Sequence, residues 1–417
     1  MLKRYMHKRE RYFAMLNDNR VVRPFEWGLE FIGEDQDADD PHRLFAEFSR
    51  KVIENSDEYF STPTISDFHI EGRPPASAGD AQSVTPTSAG GVLSEPGAVA
   101  TGSHGFGPRN ADRSSAVTQS SDWSSEFGDP QGYPSANADG TDKTALANGD
   151  GPHVLAWTSS VATPSRQNNT AYATYFPHET NRKAAVIVLP HWNAKAGTYF
   201  DLCRFFNKVG MSSLRLTLPY HEERMPPELE RADYLVAPNV GRSLQSIRQS
   251  VADTRACVTW LKGQGYEKIG IVGTSIGSCV AFLAFVHDFR IDAAVFNHVS
   301  GYMADVVWHG LSTYHVRDGF GDNIDLDELR EYWLPVSPMA YMEKLAAQQP
   351  RPQRYIYTLY DLSFPVQLSR DTMRALRRHK IKHSKSTIPC GHYTLGEKPW
   401  VYLDGYKIIR YLHKHLR

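Results

Sequence analysis

The sequence is poor in cysteine. Its four, at positions 203, 257, 279 and 390, show no metal-ligand spacing. That argues against a disulfide framework or a zinc site. It favours reduced thiols in or near a core, in a cytoplasmic protein. Surplus charge is lacking too: 46 Lys and Arg against 47 Asp and Glu leave a net charge of -1. Nothing in that balance points to nucleic acid, and it leaves a substrate's charge open. No apolar run attains the length of a membrane span. The opening residues are basic (Lys3, Arg4, Lys8, Arg9, Arg11, Arg20) but lack the apolar stretch of a secretory signal. No Gly-x-Gly-x-x-Gly turn follows a strand-like run, which argues against a nicotinamide cofactor. Neither a cofactor nor a metal is expected.

A further shortage is regional. Residues 73–152 lack aliphatic runs and are dominated by Ser, Thr, Ala, Gly, Asp and Pro. Such a composition cannot bury enough apolar area to offset its ordering entropy. The stretch is expected to be a flexible insertion. The alternative is a long surface excursion pinned by Phe106, Trp123, Phe127 and Tyr133. It separates an N-terminal extension, 1–72, from a main domain, 153–417. Within the extension, 44–53 has helical spacing, and Phe25, Trp27, Leu29 and Phe31 alternate as in a short strand. The extension is expected to fold against the main domain.

What the main domain does have is alternation of two periods. Strands are expected at 170–176, 184–189, 212–218, 269–272, 291–299, 354–360 and 384–388. Helices are expected at 198–208, 243–261, 279–286, 368–378 and 400–416, the last with Tyr402, Tyr406, Ile409 and Leu412 towards one side. The 184–189 run is continuously apolar, as a strand covered on both faces should be. Such alternation calls for a mostly parallel sheet with helices on both faces. Residues 300–350, with helix-like runs at 326–333 and 338–345, stand where a small helical lid would be inserted.

The chain is organised around residues 273–277, Gly-Thr-Ser-Ile-Gly, set between an apolar strand and an apolar helix. A Gly-x-Ser-x-Gly in that context exposes its serine on a strained turn. A Cβ at Gly273 or Gly277 would strike a neighbouring strand or helix. The Ile276 N–H, at the start of the helix, is then aimed at a developing oxyanion.

A nucleophilic serine needs an acid and a histidine further along the chain. Asp361 directly follows the strand 354–360, at the sheet edge where such folds gather their chemistry. Asp305, after the preceding strand, is the rival acid. His392 lies in a Gly-His-Tyr loop before the last helix, with Gly391 giving that loop freedom. The second oxyanion donor is expected from the turn after 184–189: Pro190 has no N–H, so Trp192 or Asn193 supplies it. His191 and Trp192 alternatively just pack under the elbow. His221, with Glu222, Glu223 and Arg224, either lines the pocket or belongs to a loop held by local ion pairs. Trp308 and Tyr314 are either substrate wall or lid core. His309, His315 and Arg317 are further possible contacts.

These residues (Gly273 to Gly277, Asp361 after its strand, and Gly391-His392) resemble the α/β-hydrolase superfamily over roughly 155–417. The stretch 216–224, with its Leu-Pro-Tyr-His, resembles a bacterial branch related to the domain-18-type hydrolases. The resemblance implies the α/β-hydrolase fold: eight strands, the first antiparallel, and a variable lid after the sixth. It implies Ser275, Asp361 and His392 as the triad and Ile276 as an oxyanion donor. Leu-Pro-His-Trp at 189–192 departs from the family's His-Gly turn.

The expected activity is hydrolysis of a carboxylic ester of a small molecule through an acyl-enzyme. Thioesters, amides and lactones use the same triad. An acyltransferase of the same fold and a non-catalytic scaffold are the rivals; a scaffold has no physical need for all three residues. Nothing in the sequence specifies an oligomeric state.

Overall fold

The computed structural model describes residues 2–16, 19–63, 65–71, 152–180 and 183–417, which belong to one compact unit. The insertion expected at 73–152 lies, but for its last residue, outside the described residues.

Nine strands make one sheet in the order β1-β2-β3-β5-β4-β6-β7-β8-β9. They are β1 (His69–Glu71), β2 (His153–Thr158), β3 (Thr170–Phe176), β4 (Ala184–Leu189), β5 (Ser212–Leu216), β6 (Lys268–Thr274), β7 (Ala293–Asn297), β8 (Gln353–Thr358) and β9 (Ser384–Ile388). The pairs from β1 to β3 and β3 with β5 are antiparallel; every pair from β5 through β9 is parallel. β2 to β9 are thus an eight-stranded, mostly parallel sheet with an antiparallel start, as expected. The ninth strand, β1, comes from the N-terminal segment and pairs along the β2 edge. All three of its residues are exposed, so it left no apolar pattern to read.

Helices cover both faces. In chain order they are α1 (Leu2–Leu16), α2 (Pro41–Glu54), the single turn α3 (Ser56–Tyr59), α4 (Phe200–Lys208), α5 (Val240–Gly263) and α6 (Ile276–His287). Then follow α7 (Met303–His309), α8 (Tyr314–Phe320), α9 (Leu326–Tyr332), α10 (Met342–Ala347), α11 (Val366–Arg378) and α12 (Trp400–Leu416). The period of two along β4 assigns its side chains to the two layers. Ala185, Ile187 and Leu189 enter the core shared with α5 and α6, while Ala184, Val186 and Val188 enter that shared with α4 and α12.

Two expectations need correction. The alternation at residues 25–31 is not a strand. Only Glu26 forms a bridge, to Asn239, and the chain then turns through Gly28, at φ 69°, into a 3-10 turn at Leu29–Ile32. The side chain of Asn239 occupies the place a Gly28 Cβ would need, 2.0 Å from its Oδ1, so only glycine fits at this turn. In α12, Tyr402 and Tyr406 are 48% and 56% exposed, and the buried face is Asp404, Ile408, Tyr411, Leu412 and Leu416. The aromatics misled the phase because a tyrosine tolerates a wet position that an aliphatic residue does not. The segment between β7 and β8, where a small lid was expected, carries α7 to α10 and is anchored in the main core. Val316, Phe320, Leu329 and Trp333 share the main core with α5, and the Trp333 indole donates to the Val240 carbonyl at 3.1 Å.

Candidate active site

β6 delivers Ser275 to the carboxyl edge of the sheet. Its backbone is held at φ 58° and ψ -124°, and α6 begins at the next residue. An L-residue in that region costs about 1–3 kcal/mol, so the surroundings must impose it. They do so through two bare glycines. A Cβ on Gly273 would stand 2.0 Å from the Gly277 carbonyl oxygen, and one on Gly277 would stand 2.4 Å from that of Pro190. The Ser275 N–H donates to the Asn297 carbonyl at the end of β7 (2.9 Å), and Ser278 Oγ donates to the Ser275 carbonyl (2.7 Å).

Asp361 lies just past β8. Its Oδ1 accepts the N–H groups of Ser363 (2.9 Å) and Phe364 (2.7 Å). Its Oδ2 accepts from His392 Nδ1 at 3.1 Å and from Thr358 Oγ1 at 3.3 Å. Burial alone would push this carboxyl up. The imidazoles of His392 and His298 outweigh it and hold the group ionised, well below its ordinary value. The His392 ring lies parallel to that of Phe364, with centroids 5.4 Å apart. Burial disfavours its charged form, but the Asp361 carboxylate and the hydrogen bond to it win, and its pKa moves upward. The proton on Nδ1 faces the carboxylate, which leaves Nε2 as the basic nitrogen. Ser275 Oγ makes no hydrogen bond to His392 among the described residues. Without a substrate, such contacts are often long and tighten only in the complex.

Sequence reasoning missed a second histidine on the same acid. His298 follows β7 and is 1% exposed. Its Nδ1 lies 2.9 Å from Asp361 Oδ2, and its ring centroid lies 4.6 Å from that of His392. It holds φ 64°, unusual for a histidine. Its pKa is lowered: burial and the neighbouring His392 outweigh the bond to Asp361. The signal was there, since His298 stands at a strand's carboxyl end, the criterion that singled out Asp361. The ligand atoms of His298, Asp361 and His392 all lie within 4.8 Å of one another. Both nitrogens sit at ordinary hydrogen-bond length from one carboxylate oxygen, the geometry of two proton donors sharing an acceptor.

On the oxyanion side, the two expected donors part company. The Asn193 N–H donates to His221 Nε2 at 2.8 Å, and its side-chain oxygen accepts the Ala232 N–H at 2.8 Å. Asn193 therefore has no backbone donor left for a substrate. Trp192 is anchored differently: its indole donates to the Ala232 carbonyl (2.8 Å) and its ring stacks on His315 with centroids 5.6 Å apart. His191 Nδ1 pairs with the Tyr199 hydroxyl at 2.9 Å, and burial pushes its pKa down to about 3.

The structure reassigns several expected lining residues. His221 is 2% exposed, with Nδ1 donating to the Pro219 carbonyl (2.9 Å) and Nε2 accepting from Asn193. Both nitrogens are spent, so it braces the turn after β4. Of its neighbours, Glu222 and Arg224 are held in ion pairs, Arg215–Glu222 at 2.6 Å and Arg224–Asp253 at 2.9 Å, while Glu223 is exposed. Asp305 pairs with Arg330 at 2.5 Å, within the inserted helices, whereas the carboxylate hydrogen-bonded to His392 is that of Asp361. Trp308 is half-buried against the main core. Tyr314 is half-buried, with the Arg20 guanidinium 5.8 Å from its ring centre. His315 is buried, and Arg317 is exposed and pairs with Asp318.

No protein-family model matches this chain, and no curated protein matches it. Among solved structures it is similar to the acylaminoacyl peptidase of Pyrococcus horikoshii, at 13% identity and a TM-score of 0.47, over 58% of this chain and 39% of that one. It is similar to a puromycin-hydrolyzing peptidase of Mycobacterium tuberculosis at 13% identity and a TM-score of 0.48, over 63% of this chain and 44% of that one. A cold-adapted esterase from an Arctic intertidal metagenomic library gives 17% identity and a TM-score of 0.43, over 67% of this chain and 99% of that one. The chain spans about two fifths of the length of the two peptidases.

Proposed function

We propose that this protein is a serine hydrolase that cleaves a carboxylic ester of a small molecule through an acyl-enzyme. The observation that carries the reading is the Asp361–His392 hydrogen bond at the sheet edge to which the strained elbow delivers Ser275. His392 Nε2 takes the Ser275 proton as Oγ attacks the carbonyl carbon. Asp361 fixes the imidazole tautomer and stabilises the imidazolium. The N–H groups of Ile276 and Trp192 receive the oxyanion. As the tetrahedral intermediate collapses, His392 returns the proton to the leaving alkoxide. Water, deprotonated by His392, then attacks the acyl-serine, and the carboxylic acid and free serine are regenerated.

The finer kinship with domain-18-type hydrolases rests on the 216–224 stretch. The cytoplasmic setting is supported by four cysteines that are all free and buried. Among the described residues no helix is long and apolar enough to cross a membrane.

The test is covalent. A fluorophosphonate is expected to label the protein at Ser275, and Ser275→Ala to abolish both labelling and hydrolysis of a short-chain aryl ester. Labelling that persists in Ser275→Ala rejects the reading.

A further inference from the structure

We infer that Glu10, brought by the N-terminal helix α1, is a positioning residue of the active site, whose buried carboxylate holds the turn that carries His392. The inference rests on the reading of His392 as the base.

Glu10 is completely buried, although it sits in a strongly basic stretch of sequence. Its Oε2 accepts the backbone N–H groups of His392 (2.8 Å) and Tyr393 (3.1 Å). Its Oε1 accepts the N–H of Thr394 (2.9 Å) and the Thr394 hydroxyl (3.0 Å). The Thr394 Oγ1 in turn accepts the Gly391 N–H at 2.7 Å. The turn 391–394 is therefore wound around one carboxylate that reaches it from 382 residues away. Successive N–H groups converging on an anion form a nest, and each charge-assisted bond is stronger than a neutral one.

This changes the meaning of Gly391. The sequence suggests that it gives the loop freedom, yet its φ is not in the left-handed region. A Cβ there would stand 2.1 Å from the Glu10 carboxyl carbon. The glycine makes room for the acid.

The N-terminal segment is fastened around this contact. Arg9 pairs with Glu397, just beyond the turn, and Arg20 donates to the Tyr393 hydroxyl at 3.0 Å. A carboxylate this deep costs several kcal/mol unless its lone pairs are filled, and here four donors fill them. Removing it leaves those N–H groups without an acceptor and loosens the residue that must meet Ser275.

Glu10 also acts through charge. Asp361 hydrogen-bonds the His392 ring, and Glu10 holds its backbone and raises its pKa. His298 and His191 are the other titratable groups acting on or beside that ring. Burial first, and Asp361 second, push the Glu10 carboxyl upward, and the N–H bonds oppose them.

The experiment compares full-length wild type with Glu10→Gln and with Thr394→Val, a milder variant that removes one donor to Glu10 and the acceptor of the Gly391 N–H but leaves the charge. In Glu10→Gln, kcat for an aryl ester is expected to fall at least tenfold, with KM within twofold. The acidic limb of kcat/KM is expected to move to lower pH, as is the His392 ring titration followed by NMR. The amides of 392–394 are expected to exchange with solvent at least tenfold faster. Thr394→Val is expected to lose less kcat and to leave the acidic limb in place. A Glu10→Gln protein with wild-type kcat, titration and exchange overturns the inference. So does a Thr394→Val protein with wild-type kcat and exchange, should Glu10→Gln not fold. If the wild-type chain neither cleaves esters nor takes up fluorophosphonate at Ser275, the hydrolase reading fails by itself. The His392 titration and amide exchange then still decide whether Glu10 holds the turn.

Discussion

His298 and His392 donate to the same oxygen of Asp361, at 2.9 and 3.1 Å. The acid is shared between His392 and the more deeply buried His298. A hydrogen bond to a charged group contributes about 1.5–3 kcal/mol, so the sharing has kinetic consequences. His298→Ala removes a donor and strengthens the remaining bond to His392. The acidic limb of kcat/KM is expected to move to higher pH. The looser acid loop is expected to lower kcat by about tenfold. His298→Asn, which keeps a donor and tolerates φ 64°, should recover part of that loss. A pH–rate profile of the two variants checks this.

The elbow stores strain that glycine relieves. At φ 58° and ψ -124° a Cβ is penalised, so Ser275→Gly is expected to be more stable than Ser275→Ala by about 1–2 kcal/mol. Both variants should be inactive. Paired thermal melts measure the difference, and equal melting temperatures would mean that the elbow is not strained.

His221 should matter to turnover without touching the substrate. His221→Leu leaves the Asn193 N–H unpaired and frees the turn that carries Trp192, so kcat is expected to fall about 10- to 100-fold with KM little changed. Burial, the leading cause, lowers the His221 pKa from 6.5 to about 4. A histidine depressed in the folded state contributes stability above its unfolded pKa and loses it as pH falls towards the folded one. Wild type therefore takes up a proton on unfolding between about pH 6.5 and 4 that the variant does not. Urea melts across that window should show the variant's shallower acid slope.

Asp404 predicts a gain of stability. It is buried under the sheet and, among the described residues, is paired only with the Asn297 side-chain amide at 2.7 Å, and burial raises its pKa from 3.8 to about 7. A carboxyl raised on folding is neutral and well tolerated at low pH, and its contribution is lost as pH rises from 3.8 to about 7. Asp404→Asn removes that loss. It is expected to stabilise the protein by on the order of 2–4 kcal/mol at pH 8 and by almost nothing near pH 4. Melting temperatures at the two pH values test it, and a gain at pH 4 alone would contradict the assignment.

Several features were legible locally. The continuous apolar run of β4 marked a strand covered on both faces, and both layers claim its side chains. The spacing of 243–261 marked α5, and the helix extends by three residues before and two after that stretch. Asp361 and His392 were legible from their places after a strand and before the last helix. Phase was less legible than period. In α12 the right helix was read, but Tyr402 and Tyr406, grouped with Ile409 and Leu412, are exposed, whereas Leu412 is buried and Ile409 packs against the core.

The sequence by itself determined the alternation of strands and helices, the glycine-flanked turn at Ser275, and the order of serine, acid and histidine. Each of these depends on neighbours within a few residues, so a linear reading captures it. Only the tertiary structure decided that His298 joins Asp361, that Asn193 spends its amide on His221, and that Glu10 fills the space Gly391 leaves open. Those contacts unite single side chains from distant parts of the chain, and a lone polar residue that is buried by its partner leaves no periodic trace of where that partner is.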